Sequence, residues 1–569
     1  MSETLAPPSG PLTRTNAEIA DQLLGTAQLL SAQGENPFKI RAYRRAAETV
    51  RSLPESVEER VRTGADLTGY AGIGKGIASA IRELVLAGTT RKLEVLRATV
   101  SPELAALSRF PRLDPKRTLR IYQKLGISDV DALRAKLEAG EIGRVLGTRM
   151  EQHVRQALVE SDEALLYDVD ALTSGLLKFL KKGGARRAEI AGEVRRRQEI
   201  VREITVLVET NDFGALVEAA TRFGGSTATI ETGDHRAVLR LPSGLRLKLE
   251  RAMAATWGLG QVLATGSVGH LEKLEETAGG LAALTGGRVR LTNERAVYRR
   301  LELAYIEPEL REGGDEVERA ARGALPRLVA APDIRGDLHC HSTASDGAHS
   351  IEEMAKAARE RGYSYLGITD HSKSLRIANG VSEEDLWRQI RRIDALNGKL
   401  RGFRILKGAE VDILADGTLD YSDALLAELD YTVCSIHSRF GLGRQQQTER
   451  ILRAMDNPHF CILGHATGRL LLRRPGYELD MERLIQHARA AGCCFEINSS
   501  PDRLDLSATH ARRARDGGVK IAINTDAHSV AELDFLRCGI DQARRAGLAR
   551  EDVLNTHAWT ALRKQLRRR

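Results

Sequence analysis

The feature that most restricts the fold is a repeat of position. From Gly336 onward, apolar runs of strand length alternate with polar turns and helix-period segments, and metal-ligating side chains stand just past run after run. GDLHCHS carries His339 and His341, and a spacing of two puts both imidazoles on one face of a strand with Cys340 on the other. Asp346 follows in SDG, His371 ends LGITDHS, Glu410 stands in KGAEVDI, and His437 ends CSIHS. His465 stands in CILGHATGR, and Asp526 and His528 close INTDAH. Strands are predicted at 365–369, 404–407, 431–435, 460–463, 494–497 and 520–523. Strands that alternate with helices build a parallel sheet, and this many predict a barrel. In a β/α barrel, the C-terminal ends of the strands form the face on which sites are built.

One histidine is more often a satisfied core or surface residue than a ligand. Nine ligand-type residues at successive strand ends reverse that balance. Imidazole and carboxylate without thiolate suit Zn²⁺, Mn²⁺ or Fe²⁺, and nine ligands exceed one tetrahedral ion. Two or three divalent ions are therefore expected, with Glu410 as a bridge, because a carboxylate can hold two cations. Clustered ions suit phosphoester hydrolysis. Arg469, in GHATGR, is the candidate clamp for a phosphate oxygen.

Taken together, GDLHCHSTASDG, GITDHS, GAEVDI, SIHS, GHATGR and NTDAH resemble the polymerase-and-histidinol-phosphatase (PHP) domain. The resemblance implies a distorted seven-stranded β/α barrel with a trinuclear metal site, and all nine positions fit the family's ligand pattern. DHSKSLRIANGVS and EINSSPDRLDL are closer still to the version attached to bacterial X-family DNA polymerases, and from about Asn16 the whole chain resembles that family.

Residues 16–159 have a helical pattern broken by short Gly- or Pro-containing turns. YAGIGKGIASAI places Gly72, Ile73, Gly74, Lys75 and Gly76 in a turn that opens a helix. Glycines let backbone approach a phosphate, and the helix offers its first N–H groups. The turn resembles a helix-hairpin-helix, which holds DNA by its backbone without reading bases. Upstream, NPFKIRAYRRAA adds Lys39, Arg41, Arg44 and Arg45. FPRLDPKR, with Arg112 and Asp114, and VLGTR, with Gly147, read as worn copies of the turn. The position of the Schiff-base lysine in the vertebrate repair enzymes is Ala80 here, so a lyase activity of that kind is not expected.

Residues 191–208, AGEVRRRQEIVREITVLV, resemble the X-family palm, whose chemistry needs three aspartates to hold two Mg²⁺ ions. The phosphate-binding serine position is Glu193, the paired aspartates become Glu203 and Thr205, and the third becomes Lys248. One carboxylate beside a lysine cannot hold two divalent cations, so templated synthesis is expected to be lost. Lys248 is expected to pair with Glu203, taking the place of metal charge.

The implied fold is multidomain: an all-α N-terminal region, an α+β palm and thumb, and a C-terminal α/β PHP barrel. Expected boundaries are 1–100 for the helix-hairpin-helix domain, 101–165 for a fingers-like region and 166–312 for the degenerate palm and thumb, with a linker at 313–333 and the barrel at 334–569. The linker is read from the charged, Ala/Pro-rich composition of 311–333. A net charge of +8 is compatible with DNA as partner. No stretch reaches the roughly 18 apolar residues that cross a bilayer, and no secretion signal is read, so a cytoplasmic location is expected. All six cysteines lie late in the chain without a C-x-x-C pair, which predicts free, buried thiols. The expected activity is a metal-dependent 3′–5′ exonuclease on gapped or damaged DNA 3′ ends in repair. Alternatives are an active polymerase with PHP proofreading, a small-molecule phosphatase, and a DNA-binding scaffold without catalysis. The sequence does not give the oligomeric state.

Overall fold

The computed structural model describes residues 14–566 apart from 15, 34, 36, 54, 71, 100–114, 128–129, 148–149, 152–153, 155–162, 225–226, 242–243, 278–279, 282–283 and 285–289. The chain divides into two compact units, Met1–Thr265 with Gly287–Val297, and Gly266–Gly286 with Tyr298–Arg569. No described helix is long and apolar enough to cross a membrane.

The first unit begins with α1 (Asn16–Ala32), α2 (Pro37–Ser52), α3 (Val57–Arg62), α4 (Lys75–Ala87) and α5 (Arg91–Thr99). Their apolar faces share one core that includes Ile19, Leu23, Ala46, Val50, Ile81 and Leu84. Local signals set the ends: Pro37 suits the first turn of α2. Ser56 Oγ caps α3 by accepting from Glu59 N–H. Gly88, at φ +85°, ends α4 in the left-handed conformation. Helices Pro115–Leu125, Val130–Glu138 and Glu141–Leu146 follow, packed about Ile121, Leu133 and Ile142. Arg112 and Asp114 lie outside the described residues.

Next comes a mixed five-stranded sheet of β1 (Arg187–Ala191), β2 (Glu203–Glu209), β3 (Ala228–Thr232), β4 (Arg236–Arg240) and β5 (Arg246–Arg251), in the order β1–β2–β5–β4–β3. The middle of β2 is fully buried, which its run of ITVLV favours. β2 and β5 run parallel, and the register sets Thr205 opposite Lys248.

The second unit holds β6 (Gly336–Asp337), β7 (Tyr365–Ile368), β8 (Arg404–Lys407), β9 (Glu410–Asp412), β10 (Val433–Ser435), β11 (Ile462–Leu463), β12 (Cys494–Asn498) and β13 (Ile521–Asn524). β8–β7–β6 form one parallel sheet and β9 to β13, in sequence order, another. Parallel bridges from Cys340 to Ala527 and from His371 to Glu410 join the two. Only Gly408 and Ala409 separate β8 from β9, so these form one bent strand and the ring closes as a distorted seven-stranded barrel. The layers around it are apolar, with Val411, Ile436, Phe495 and Ile523 among the fully or nearly fully buried residues. All six cysteines are free and buried.

The stretch 311–333 is folded, which corrects its reading as a linker. It contains helix Glu316–Ala321, a bridge from Leu328 to Ala549 and a 3₁₀ turn at Ala331–Asp333. Two of its charged groups are buried against partners elsewhere in the same unit. Arg311 is fully buried, donates to Ile306 O at 2.9 and 3.0 Å, and lies over the Tyr298 and Tyr305 rings. Glu316 lies 2.7 Å from the buried His270 imidazole. Arg311 and Glu316 can be buried as charged groups because each has a partner.

Candidate metal centre and nucleic-acid-binding elements

The barrel brings all nine predicted side chains to one end. Glu410, fully buried at the start of β9, is the hub. Its Oε2 lies 2.7 Å from His371 Nδ1, 3.4 Å from His339 Nε2 and 3.7 Å from His341 Nε2. Its Oε1 lies 2.9 Å from His465 Nε2 and 3.3 Å from His437 Nε2. Asp526 Oδ1 lies 3.0 Å from His341 Nε2 and 3.5 Å from His339 Nε2. Asp346 Oδ1 lies 3.5 Å from His371 Nε2 and 3.4 Å from His528 Nε2. Three ligand groups result: His341, Asp346, His371 and His528; His339, His341, Glu410 and Asp526; His371, Glu410 and His437. They share His341, His371 and Glu410, and Glu410 takes part in two of them.

The residues fit cations. His339 Nε2, His371 Nδ1 and Glu410 Oε2 are buried without a hydrogen bond of acceptable geometry, an arrangement that is costly unless something else satisfies them. Burial opposes charge on Glu410, yet His437, His371 and His339 hold its carboxyl well below the usual range. Burial likewise opposes charge on Asp526, which His339, His341 and His528 hold well below its range. His437 is pushed up to about 10, because Glu410 and Asp412 outweigh the effect of its burial. Burial and the neighbouring His528 and His371 bring His341 down to about 4. Fixed buried anions among imidazoles that compete for protons form a set that divalent ions would neutralise.

A layer of buried polar groups behind the ligands went unread in the sequence. Glu496 accepts from His339 Nδ1 at 2.7 Å, from the His465 N–H at 2.9 Å and from Asn524 Nδ2 at 2.9 Å. Asp412 lies 2.6 Å from His437 Nδ1. Asp337 accepts from the His339 N–H and from Thr525, and Asn498 donates to Asp526 Oδ2 at 3.0 Å. Such groups fix the tautomer and aim of a ligand. The available signal was an acid inside an apolar strand: Glu496 sits within CFEIN, buried at every residue, and Asp412 shares a face with Glu410. Arg469 donates to the Leu504 carbonyl. Arg503, which the sequence reading did not select, has its Nε 3.7 Å from Asp526 Oδ2.

In the first unit, Gly74 caps α4 in an extended conformation with no side-chain hydrogen bond, and Lys75 opens the helix. A Cβ at Gly74 or Gly76 would meet nothing within 4 Å, whereas Gly72, at φ +82°, has Arg45 Cγ 2.9 Å from that position. Ile73 is buried in the helical core. The turn is therefore anchored by one residue and open around its two later glycines, leaving the first N–H groups of α4 approachable. Lys39 is exposed and pairs with Glu35 at 2.7 Å, and the Arg41 side chain lies outside those described.

On the sheet, Glu203, Thr205 and Lys248 adjoin as predicted. Lys248 Nζ is 3.9 Å from Glu203 but 2.5 Å from Glu250, so Glu250 is its nearer partner. Glu193 accepts from the Arg202 and Glu203 N–H groups at 2.7 and 3.2 Å, and Arg195 makes a two-pronged ion pair with Glu294 at 2.6 and 2.8 Å.

A centre of imidazole and carboxylate at the strand ends of a parallel barrel is that of a PHP domain, and residues 337–500 match the PHP domain model while 14–90 match a helix-hairpin-helix domain. The chain is 34% identical over 557 residues to the DNA polymerase/3′-5′ exonuclease PolX of Bacillus subtilis (strain 168), covering 94% of this chain and 96% of that one. It belongs to the bacterial PolX family of X-family polymerases with a C-terminal PHP domain. Two probable phosphatases match about two fifths of the chain. That of Thermoanaerobacter sp. (strain X514) is 30% identical over 231 residues, covering 39% of this chain and 89% of its own. That of Syntrophotalea carbinolica is 30% identical over 240 residues, covering 40% and 93%.

Proposed function

We propose that this chain is a divalent-metal-dependent DNA 3′–5′ exonuclease that trims gapped or damaged 3′ ends in repair, with DNA held by the helix-hairpin-helix and the palm scaffold. The observation that carries this reading is the contrast between the two sites. One gathers nine His, Asp and Glu side chains, Glu410 among them, with buried Glu496 and Asp412 aiming His339 and His437. The other sets a lysine in the ladder position opposite Thr205. Divalent ions bound at the first would activate water and offset charge on a phosphoryl group. The chain's own part is to orient and to hold charge. Hydrogen bonds at Nδ1 of His339 and His437 turn their Nε2 atoms toward Glu410. Arg503, beside Asp526, is placed to take a phosphate oxygen.

Loss of templated synthesis belongs to the same reading. Lys248 brings positive charge where two cations would have to sit, and Glu193 already occupies backbone N–H groups with its own carboxylate. The probable phosphatases favour a second reading, monoester hydrolysis, which leaves the DNA-binding turn without a purpose. The test is a 5′-labelled primer–template incubated with Mn²⁺ and all four dNTPs, beside a His341→Ala variant. Shortening by wild type alone is expected; extension that persists in the variant would overturn the reading of the palm.

A further inference from the structure

Large apolar side chains are seldom exposed between residues 334 and 569. Among the described residues they are Ile377 (94% exposed), Leu472 (45%) and Phe440 (37%). Each lies on a loop leaving a strand that delivers a cluster residue: six positions after His371, three after His437 and seven after His465. Three apolar groups at the mouth of one polar centre are not the scatter expected of a surface that only has to be soluble.

The loops are built structures. The Val381 N–H donates to His371 O at 2.8 Å and closes the loop that carries Ile377. Leu470 and Arg474 pair antiparallel, which puts Leu472 at the tip of a hairpin. The Arg474 guanidinium donates to Gly468 O at 2.7 Å and lies 4.6 Å from the Phe440 ring centroid, while Tyr477 stacks beside that ring. Left-handed backbone accompanies each apolar group: Asn379 at φ +54°, Arg439 at +59° and Leu472 itself at +58°. A leucine that is both exposed and left-handed is doubly unfavourable, and such strain gathers where a surface has work to do.

Charge selects the occupant. Residues 372–381, 438–444 and 466–477 together hold seven Lys and Arg and no Asp or Glu. Neighbouring acids pair with Lys373, Arg444 and Arg473, whereas Arg376 and Arg439, next to the apolar groups, are exposed. Apolar faces alternating with cations match an unpaired polynucleotide, which shows bare nucleobases and one negative charge per linkage. An acidic peptide would not need the apolar groups, and a duplex hides its base faces.

We propose that these three loops form a collar that holds a single polynucleotide strand at the mouth of the centre, with Ile377, Phe440 and Leu472 against bases and arginines against phosphates. The proposal rests on the reading of the centre as a phosphodiesterase. It makes Phe440 and its neighbours determinants of substrate length and type, separate from the chemistry.

The test compares full-length wild type with Phe440→Ala and with Ile377→Ser/Leu472→Ser, all exposed positions, on two substrates with Mn²⁺. One is a 5′-labelled single-stranded oligodeoxynucleotide; the other is methyl p-nitrophenyl phosphate, a small diester without a base. The ratio of kcat/KM for oligonucleotide to that for the small diester should fall on the order of tenfold in each variant, through KM. An unchanged ratio, or equal losses on both substrates, would overturn the collar while leaving the centre intact. Hydrolysis of neither substrate by wild type would sink the reading of the centre, and the collar with it.

Discussion

Glu496 has no contact with solvent, yet four donors converge on it: an imidazole, a backbone N–H and two side-chain amides. Its replacement by Gln keeps the volume and removes the charge that orients His339. Mn²⁺ affinity or hydrolysis should drop about 10- to 100-fold in Glu496→Gln, measured by metal titration and by initial rates; wild-type affinity would mean that Glu496 only fills space. Glu316 gives a pH test away from the centre. Burial pushes its carboxyl up, but hydrogen bonds from His270 and from backbone N–H groups outweigh that and hold it below its ordinary 4.5. A depressed carboxylate stabilises the fold above its unfolded value and loses that contribution as pH falls through the folded one. The Tm gap between wild type and Glu316→Gln should therefore be constant near neutral pH and narrow below 4.5. A gap that widens on acidification would contradict the assignment.

Among the elements, the turn into α4 separates stability from binding. Gly76 lies in the first turn of α4, and a Cβ there meets open space. Gly76→Ala should raise stability by up to about 1 kcal/mol through helix propensity while weakening DNA binding, because the methyl stands where a phosphate would approach. Thermal unfolding and fluorescence anisotropy on the same preparation check both signs, and unchanged affinity would remove Gly76 from the interface. The strands show how far pattern reading carries. The apolar runs at 404–407 and 494–497 appear as β8 and β12 almost residue for residue. In contrast, the charged run at 311–333 concealed an ordered segment, because pairing such as Glu316 with His270 depends on residues distant in the chain. Glu250, the nearer partner of Lys248, stands two residues on in the same strand and on the same face, so that pairing was legible in the local spacing once β5 was read as a strand.

The whole molecule divides into two units, and the candidate metal centre lies wholly in the second. A ligand that binds only the folded state stabilises by mass action. Mn²⁺ should therefore raise one calorimetric transition and EDTA lower it, while the transition of the first unit stays fixed; a shift in both, or in neither, would count against the site. The sequence by itself determined the His, Asp and Glu types, their recurrence at strand ends and the presence of Glu203, Thr205 and Lys248 on neighbouring β-rich runs, because these are properties of residue identity and short-range period. Only the tertiary structure decided that Glu410 serves two ligand groups, that Glu496 and Asp412 aim the imidazoles, and that Arg503 adjoins Asp526. Those relations arise when the seven-stranded ring closes and brings residues more than a hundred positions apart, such as His339 and Glu496, within hydrogen-bonding distance, and the local pattern that predicts a barrel does not say which side chains then meet.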